Sequence, residues 1–198
     1  MELFEKSNIN QEPIKRISDW LEEAISEDVS LPHAMSLATV DINGNPSNRM
    51  VLLKSISDTG LIFFTDFSSQ KGSDISQNPN VAVTFWWPKL NKQIRVTGNC
   101  SKVSDDYSDD YFKKRPRGSK ISASISNQSS HINSYEELVK KASIFDQENE
   151  QIRRPERWGG ILIKPEKIEF WINKENRLHV RELFIFSKER WSLKLLAP

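Results

Sequence analysis

The stretch Met35–Lys54, MSLATVDINGNPSNRMVLLK, decides the fold class. Two strand-like runs flank Asn43-Gly44, a dipeptide that tolerates positive φ and therefore marks a hairpin turn. A period of two along each run puts alternate side chains on opposite faces, the pattern of a strand with one buried side. C-terminal to this hairpin the same period recurs. Asp58-Thr59-Gly60 turns the chain into LIFFT, and PKLNK joins VAVTFWW to QIRVTGNCSKV. The chain closes with ILIKPEKIEFWIN, a turn near Lys174-Glu175-Asn176, RLHVRELFIFS and WSLKLLAP. About seven strands in hairpin order predict a mainly β protein with helices (α+β), an antiparallel barrel with helices around it.

The helices read differently. Ile14, Ile17, Leu21, Ala24 and Ile25 share one face of a predicted amphipathic helix over 14–25. SSQKGSDISQN opens with capping serines and stops before Pro79. Ser104 starts a polar helix, SDDYSDDYFKK, with acids early and lysines late, as the helix dipole prefers. Pro116 ends it, because a residue before proline avoids the helical region. A Ser-rich stretch and a charged helix around YEELVKKASIF follow. The expected organisation is a flexible N-terminal arm, residues 1–13, and a single domain, residues 14–198.

Composition narrows the function. Hydrophobic residues make up 37% of the 198, enough for a core, so wholesale disorder is excluded. Basic and acidic residues balance to a net charge of +1, which argues against a dedicated nucleic-acid or membrane-surface binder. A lone cysteine, Cys100, excludes an internal disulfide or a cysteine metal cluster and fits a reducing compartment. No apolar run reaches the ~18 residues that span a bilayer, and the first residues carry no apolar signal core. A cytoplasmic protein is expected.

Three clusters carry candidate chemistry. In an extended strand Arg177, His179 and Arg181 project to one side and Leu178 and Val180 to the other, giving a cationic face suited to an anion or simply a solvated charged one. Trp171 on the preceding strand would lie near it. Arg49 and Lys54 bracket an apolar strand on opposite faces, so they serve two different anions or mark the ends of a buried strand. In DYFKKRPRGSK, Tyr111 and Arg115 share a helix face and Ser119 follows the proline; phenol, guanidinium and hydroxyl together make a phosphate site, against a plain basic surface loop. Base stacking on Trp86-Trp87 beside KKRPRGSK is disfavoured by Asp105, Asp106, Asp109 and Asp110. There is no glycine-rich phosphate loop, no GxSxG elbow, and no metal-ligand spacing among His33, His131 and His179.

Taken in order, these segments resemble the pyridoxine (pyridoxamine) 5′-phosphate oxidase family. The strongest match is IEFW followed by RLHVR; RMVLLK, FFT, SQKG, the Gln of KQIRV, YFKKRPRGS, NQSS, WGG and LLAP keep the family's order, from Pro32 to Pro198. The resemblance implies a split β-barrel, a homodimer and FMN held at the dimer interface. It implies oxidation of pyridoxine or pyridoxamine 5′-phosphate to pyridoxal 5′-phosphate with O2 as acceptor. Carried over, the FMN contacts are Arg49, Met50, Val51, Leu52 and Leu53, then Phe64, Thr65, Gln70 and Lys71, then Gln93, Gln128, Ser129, Trp171 and Arg181. The substrate phosphate falls to Lys54, Tyr111, Arg115 and Ser119. Arg177 and His179, with Leu178, line the substrate ring, and Arg177 and His179 are the catalytic pair.

The chain departs from the family pattern at Gln70, where an arginine is usual before Lys71, and at Ile172 and Val180. No counterpart of the basic, aromatic arm of relatives is found before Ile14. SQKG also occurs in the related FMN oxidases of phenazine biosynthesis, which generally lack the full Lys, Tyr, Arg, Ser set. That subgroup is the alternative, with a flavin- or pyridoxal-phosphate-binding protein of little turnover as the third reading.

Overall fold

The computed structural model describes residues 4–6 and 9–198. The strands are β1 (Glu5–Lys6), β2 (Ala34–Val40), β3 (Pro46–Leu52), β4 (Ser55–Ser57), β5 (Gly60–Asp66), β6 (Asn80–Trp87), β7 (Lys92–Lys102), β8 (Trp158–Ile172), β9 (Val180–Ser187) and β10 (Arg190–Leu195). The helices are α1 (Ile14–Ser26), α2 (Gln70–Gln77), α3 (Asp105–Lys114), α4 (Arg117–Ile125) and α5 (Tyr135–Glu148). One sheet runs β1-β4-β5-β8-β7-β6-β2-β3, with the β9–β10 hairpin joined to β8. Every pairing is antiparallel except β1 with β4.

The split in the barrel is made by β8. Its first part, Trp158–Ile163, pairs with β5, and its last part, Lys167–Ile172, pairs with β9, while β7 follows its other edge. Pro165 sits where the partner changes. Its missing N–H therefore breaks no ladder to β5 or β9. Opposite it the register shifts at Thr97/Gly98. A Cβ on Gly98 would lie 2.1 Å from the Lys164 carbonyl oxygen, so this bulge requires glycine.

The core lies between the sheet and α1. Ile14, Ile17, Leu21 and Ala24 are buried against Phe63, Phe85, Ile94 and Phe170. Ile25, expected on the same face, lies in the last turn and stays 44% exposed, while Trp20 is buried and meets Phe170 edge-on.

The 35–54 hairpin forms around Asn43-Gly44 as expected; its turn spans five residues, since Val40 pairs with Pro46, and Asp41 organises the loop by accepting from Asn43 N and Asn45 N. Two local readings are corrected. The Ser-rich stretch contains α4, which starts after Pro116 and buries Ile121 and Ile125 one turn apart; this apolar pair outweighs the serines' preference for turns. The last reading concerns 177–179. Arg177 ends a 3-10 turn, with Asn176 at φ 54 and Arg177 at φ 60, and β9 begins only at Val180. Arg177 and His179 therefore both precede the strand, and of the three only Arg181 lies in it.

Of the arm expected over 1–13, residues 1–3, 7 and 8 lie outside the described residues. Glu5 N donates to Lys54 O at 2.8 Å, and Ile9 is buried.

Candidate functional site

Two adjoining cavities open beside β3, β5 and α2. The larger, about 540 Å³, is bordered by Met50, Val51 and Leu52 of β3, Phe64, Thr65 and Asp66 of β5, Lys54, Lys71, Gln128, and the α3–α4 corner. That corner brings Tyr111, Arg115 and Ser119 to one wall, as their spacing around Pro116 suggested. α4 and its C-cap add Ser122, Ala123 and Ser126, which the sequence reading missed. Their helical spacing from Ser119 was the available signal, hidden because the segment was not read as helix.

The floor of this cavity is aromatic. The Phe64 ring stacks on Tyr111 at 3.8 Å and on Trp158 at 5.2 Å. The Arg115 guanidinium lies 4.3 Å from the Trp158 ring centre, and its Nη1 is buried without a hydrogen-bond partner. Burial lowers the pKa of Arg115, with Tyr111 opposing the shift. A buried guanidinium nitrogen lacking an acceptor is costly alone and suited to an incoming anion. The WGG motif explains the close approach of these groups. Gly160 N donates to Ser108 Oγ at 3.1 Å, and a Cβ there would meet Val103 at 2.6 Å and the Phe64 ring at 3.1 Å.

The smaller cavity, about 370 Å³, is bordered by Ser47, Asn48, Arg49, Met50, Gln70, Lys71, Gln128 and Ser129. Arg49 Nη1 donates to Thr39 Oγ1 at 2.6 Å, and Thr39 in turn donates to the buried Asp74. Lys71 is almost fully buried, and its Nζ donates to Gln128 Oε1 at 2.8 Å. Burial and, after it, the charge of Arg49 push the Lys71 pKa below its ordinary 10.5. Gln70 donates to Ser47 Oγ at 2.8 Å. Met50, Lys71 and Gln128 border both cavities. Arg49 and Lys54 thus border two neighbouring cavities.

The remaining expected residues lie elsewhere. Leu53, just past the end of β3, is fully buried in the core and borders neither cavity. Gln93, Trp171 and Arg181 sit side by side on β7, β8 and β9, in register with Trp86. His179 packs 4.5 Å from the Trp171 ring centre, and its Nδ1 accepts from Lys174 N at 3.2 Å. That bond keeps the proton of the neutral ring on Nε2. Leu178 is 67% exposed. Within one chain, then, the cavity group and the Gln93–Trp171–His179–Arg181 group are separate. Among the described residues, no set of three or more His, Cys, Asp or Glu could hold a metal ion, and no helix is long and apolar enough to cross a membrane.

Comparison with known proteins bears on both groups. Residues 21–171 match the family described as pyridoxamine 5′-phosphate oxidase. The chain belongs to that family. Residues 158–198, which carry β8 to β10, match the pyridoxine 5′-phosphate oxidase C-terminal dimerisation region. Among relatives of this oxidase family, the pyridoxine/pyridoxamine 5′-phosphate oxidase of Leptospira biflexa is 46% identical, over 94% of this chain and 89% of that protein. The enzyme of the same name from Actinobacillus pleuropneumoniae is 41% identical over 98% and 92%. A crystal structure of PhzG from Burkholderia lata 383, in complex with tetrahydrophenazine-1-carboxylic acid, superposes with a TM-score of 0.92. It is 28% identical and covers 96% of this chain and 94% of that one.

Proposed function

We propose that the protein is an FMN-dependent oxidase converting pyridoxine or pyridoxamine 5′-phosphate to pyridoxal 5′-phosphate with O2 as acceptor. The observation that carries this reading is the pairing of two anion-ready cavities that share Met50, Lys71 and Gln128. A phosphorylated cofactor and a phosphorylated substrate need one each. The donor sets fit: Arg49 and Lys71 around the smaller cavity, and the unpartnered Arg115 Nη1 with Lys54, Tyr111 and Ser119 around the larger. When bound, FMN supplies the two-electron acceptor that O2 restores.

The chain's own groups do the positioning. Lys54, Tyr111, Arg115 and Ser119 hold the substrate phosphate. Phe64 and Val51 keep the neighbouring wall apolar and help exclude water. His179, protonated at Nε2 in its neutral form, donates a hydrogen bond to the substrate, and Arg177 adds positive charge beside it. Since these two lie off the cavities, the reading requires a homodimer in which one subunit's Gln93, Trp171, Arg177, His179 and Arg181 complete the other's cavities. The match of 158–198 to a dimerisation region supports this. A cytoplasmic setting accords with a single, buried, unpaired cysteine.

The test is anaerobic. Yellow protein whose flavin absorbance bleaches on adding either B6 phosphate, and recovers with O2, supports the assignment. Flavin-loaded protein inert to both B6 phosphates refutes it. That result would favour the second reading, a phenazine-type oxidase, for which the close superposition on PhzG speaks.

A further inference from the structure

On the strand row away from the cavities, Glu169 is a buried carboxylate that the reaction does not use. It is 6% exposed, yet it lies on the outer face of β8 with Trp171, two residues on. Both of its oxygens are engaged by guanidinium groups. Oε1 accepts from Arg181 Nε at 2.8 Å and Oε2 from Arg95 Nη1 at 3.0 Å. Arg181 is held from the other side as well. Its Nη1 donates to Ala197 O at 3.1 Å, and its backbone oxygen accepts from Leu196 N at 3.0 Å. Of the guanidinium nitrogens of Arg181, Nη2 alone makes no hydrogen bond among the described residues.

We infer that Glu169 is a positioning residue: it fixes the Arg181 guanidinium so that Nη2 points outward to the flavin that the opposing subunit's cavities would hold. The inference rests on the proposed function for the flavin and on the structure for the geometry. A guanidinium already locked at two nitrogens loses little side-chain freedom on meeting its ligand, and preorganisation of this kind is a source of affinity. The hydrogen bond from Arg181 to Glu169 also raises the guanidinium pKa. Arg95 balances the second carboxylate oxygen. Leu196 and Ala197, the middle of the LLAP motif, brace the far side.

A mutant cycle read by FMN affinity tests this, with FMN titrated by quenching of flavin fluorescence on the full-length protein. Arg181→Ala should weaken FMN binding, and Glu169→Ala should weaken it by about tenfold, within the usual range for coupled neighbours. The double variant should be no worse than Arg181→Ala alone. Additive losses overturn the inference, because Glu169 would then act independently of Arg181. Should Glu169→Ala fail to fold, Glu169→Gln keeps the shape and one acceptor but removes the charge. It must give an intermediate loss with Arg181 present and none in the Arg181→Ala background; equal loss in both backgrounds overturns the inference. Wild-type protein that takes up no FMN overturns the flavin reading and the inference together, so the two failures are distinguishable.

Discussion

Gln70→Arg restores a cation next to Lys71 and should change affinity and stability in opposite directions. In the structure Gln70 is an exposed residue at the start of α2 that borders the smaller cavity and donates to Ser47 Oγ. An arginine there offers a charge-assisted hydrogen bond to a bound phosphate, about 1.5–3 kcal/mol. Against it stand loss of the exposed Gln70–Ser47 bond and the cost of ordering a longer side chain, together about 1 kcal/mol. The net gain is about 0.5–2 kcal/mol, or roughly 2- to 30-fold in the FMN dissociation constant. Without ligand the sign reverses. Arg49 already depresses the Lys71 pKa, and a third cation adds repulsion that Asp74 behind Arg49 and Asp66, which acts on Lys71, only partly offset. The ligand-free variant should therefore melt slightly lower than the wild type and the FMN-loaded variant higher. Flavin fluorescence titration and thermal melts with and without FMN measure both. FMN affinity that is unchanged or weaker, with the melting temperatures moving together, would refute the assignment of the smaller cavity to the flavin phosphate.

Arg115→Ala removes the guanidinium with the unpartnered nitrogen, so kcat/KM should fall far more for a phosphorylated substrate than for the unphosphorylated vitamin, with FMN still bound; equal losses would mean that Arg115 is structural. Arg177→Ala and His179→Ala should leave yellow, folded protein that is reduced slowly by the B6 phosphate, whereas Arg181→Ala should lose flavin; flavin occupancy and stopped-flow reduction separate the two classes. Lys71 releases its proton below the ordinary 10.5, so FMN affinity should begin to fall at a lower alkaline pH than a free lysine would dictate. For the ligand-free fold the sign is opposite: between the depressed folded pKa and 10.5 the unfolded chain binds more protons, so stability rises with pH across that window. Gly160→Ala drives a methyl into Val103 and the Phe64 ring and should cost about 1–3 kcal/mol, read as a lower melting temperature.

What the sequence determined by itself were the features set by local rules. Period-two alternation named the 35–54 hairpin, and the capping serines placed α2 and α3, where Ser69 accepts from Gly72 N and Ser104 from Tyr107 N. Tyr111, Arg115 and Ser119 are close in the chain, so their convergence across Pro116 was legible before any tertiary contact was known. The resemblance then joined them to Lys54. Features that depend on distant partners were decided only by the tertiary structure. The change of β8 from β5 to β9 at Pro165 depends on which strands lie beside it, which no local period encodes. α4 was obscured because serine prefers turns in isolation, and burial of Ile121 and Ile125 overrides that preference only within the fold. The left-handed turn at Asn176-Arg177 broke the alternation that would have aligned Arg177 with His179. Glu169 read as one more strand carboxylate. Its importance arises because antiparallel pairing places Arg95 on one side and Arg181 on the other, contacts 74 and 12 residues away along the chain. A charge's partners are fixed by register across the sheet, and register is a property of the assembled strands.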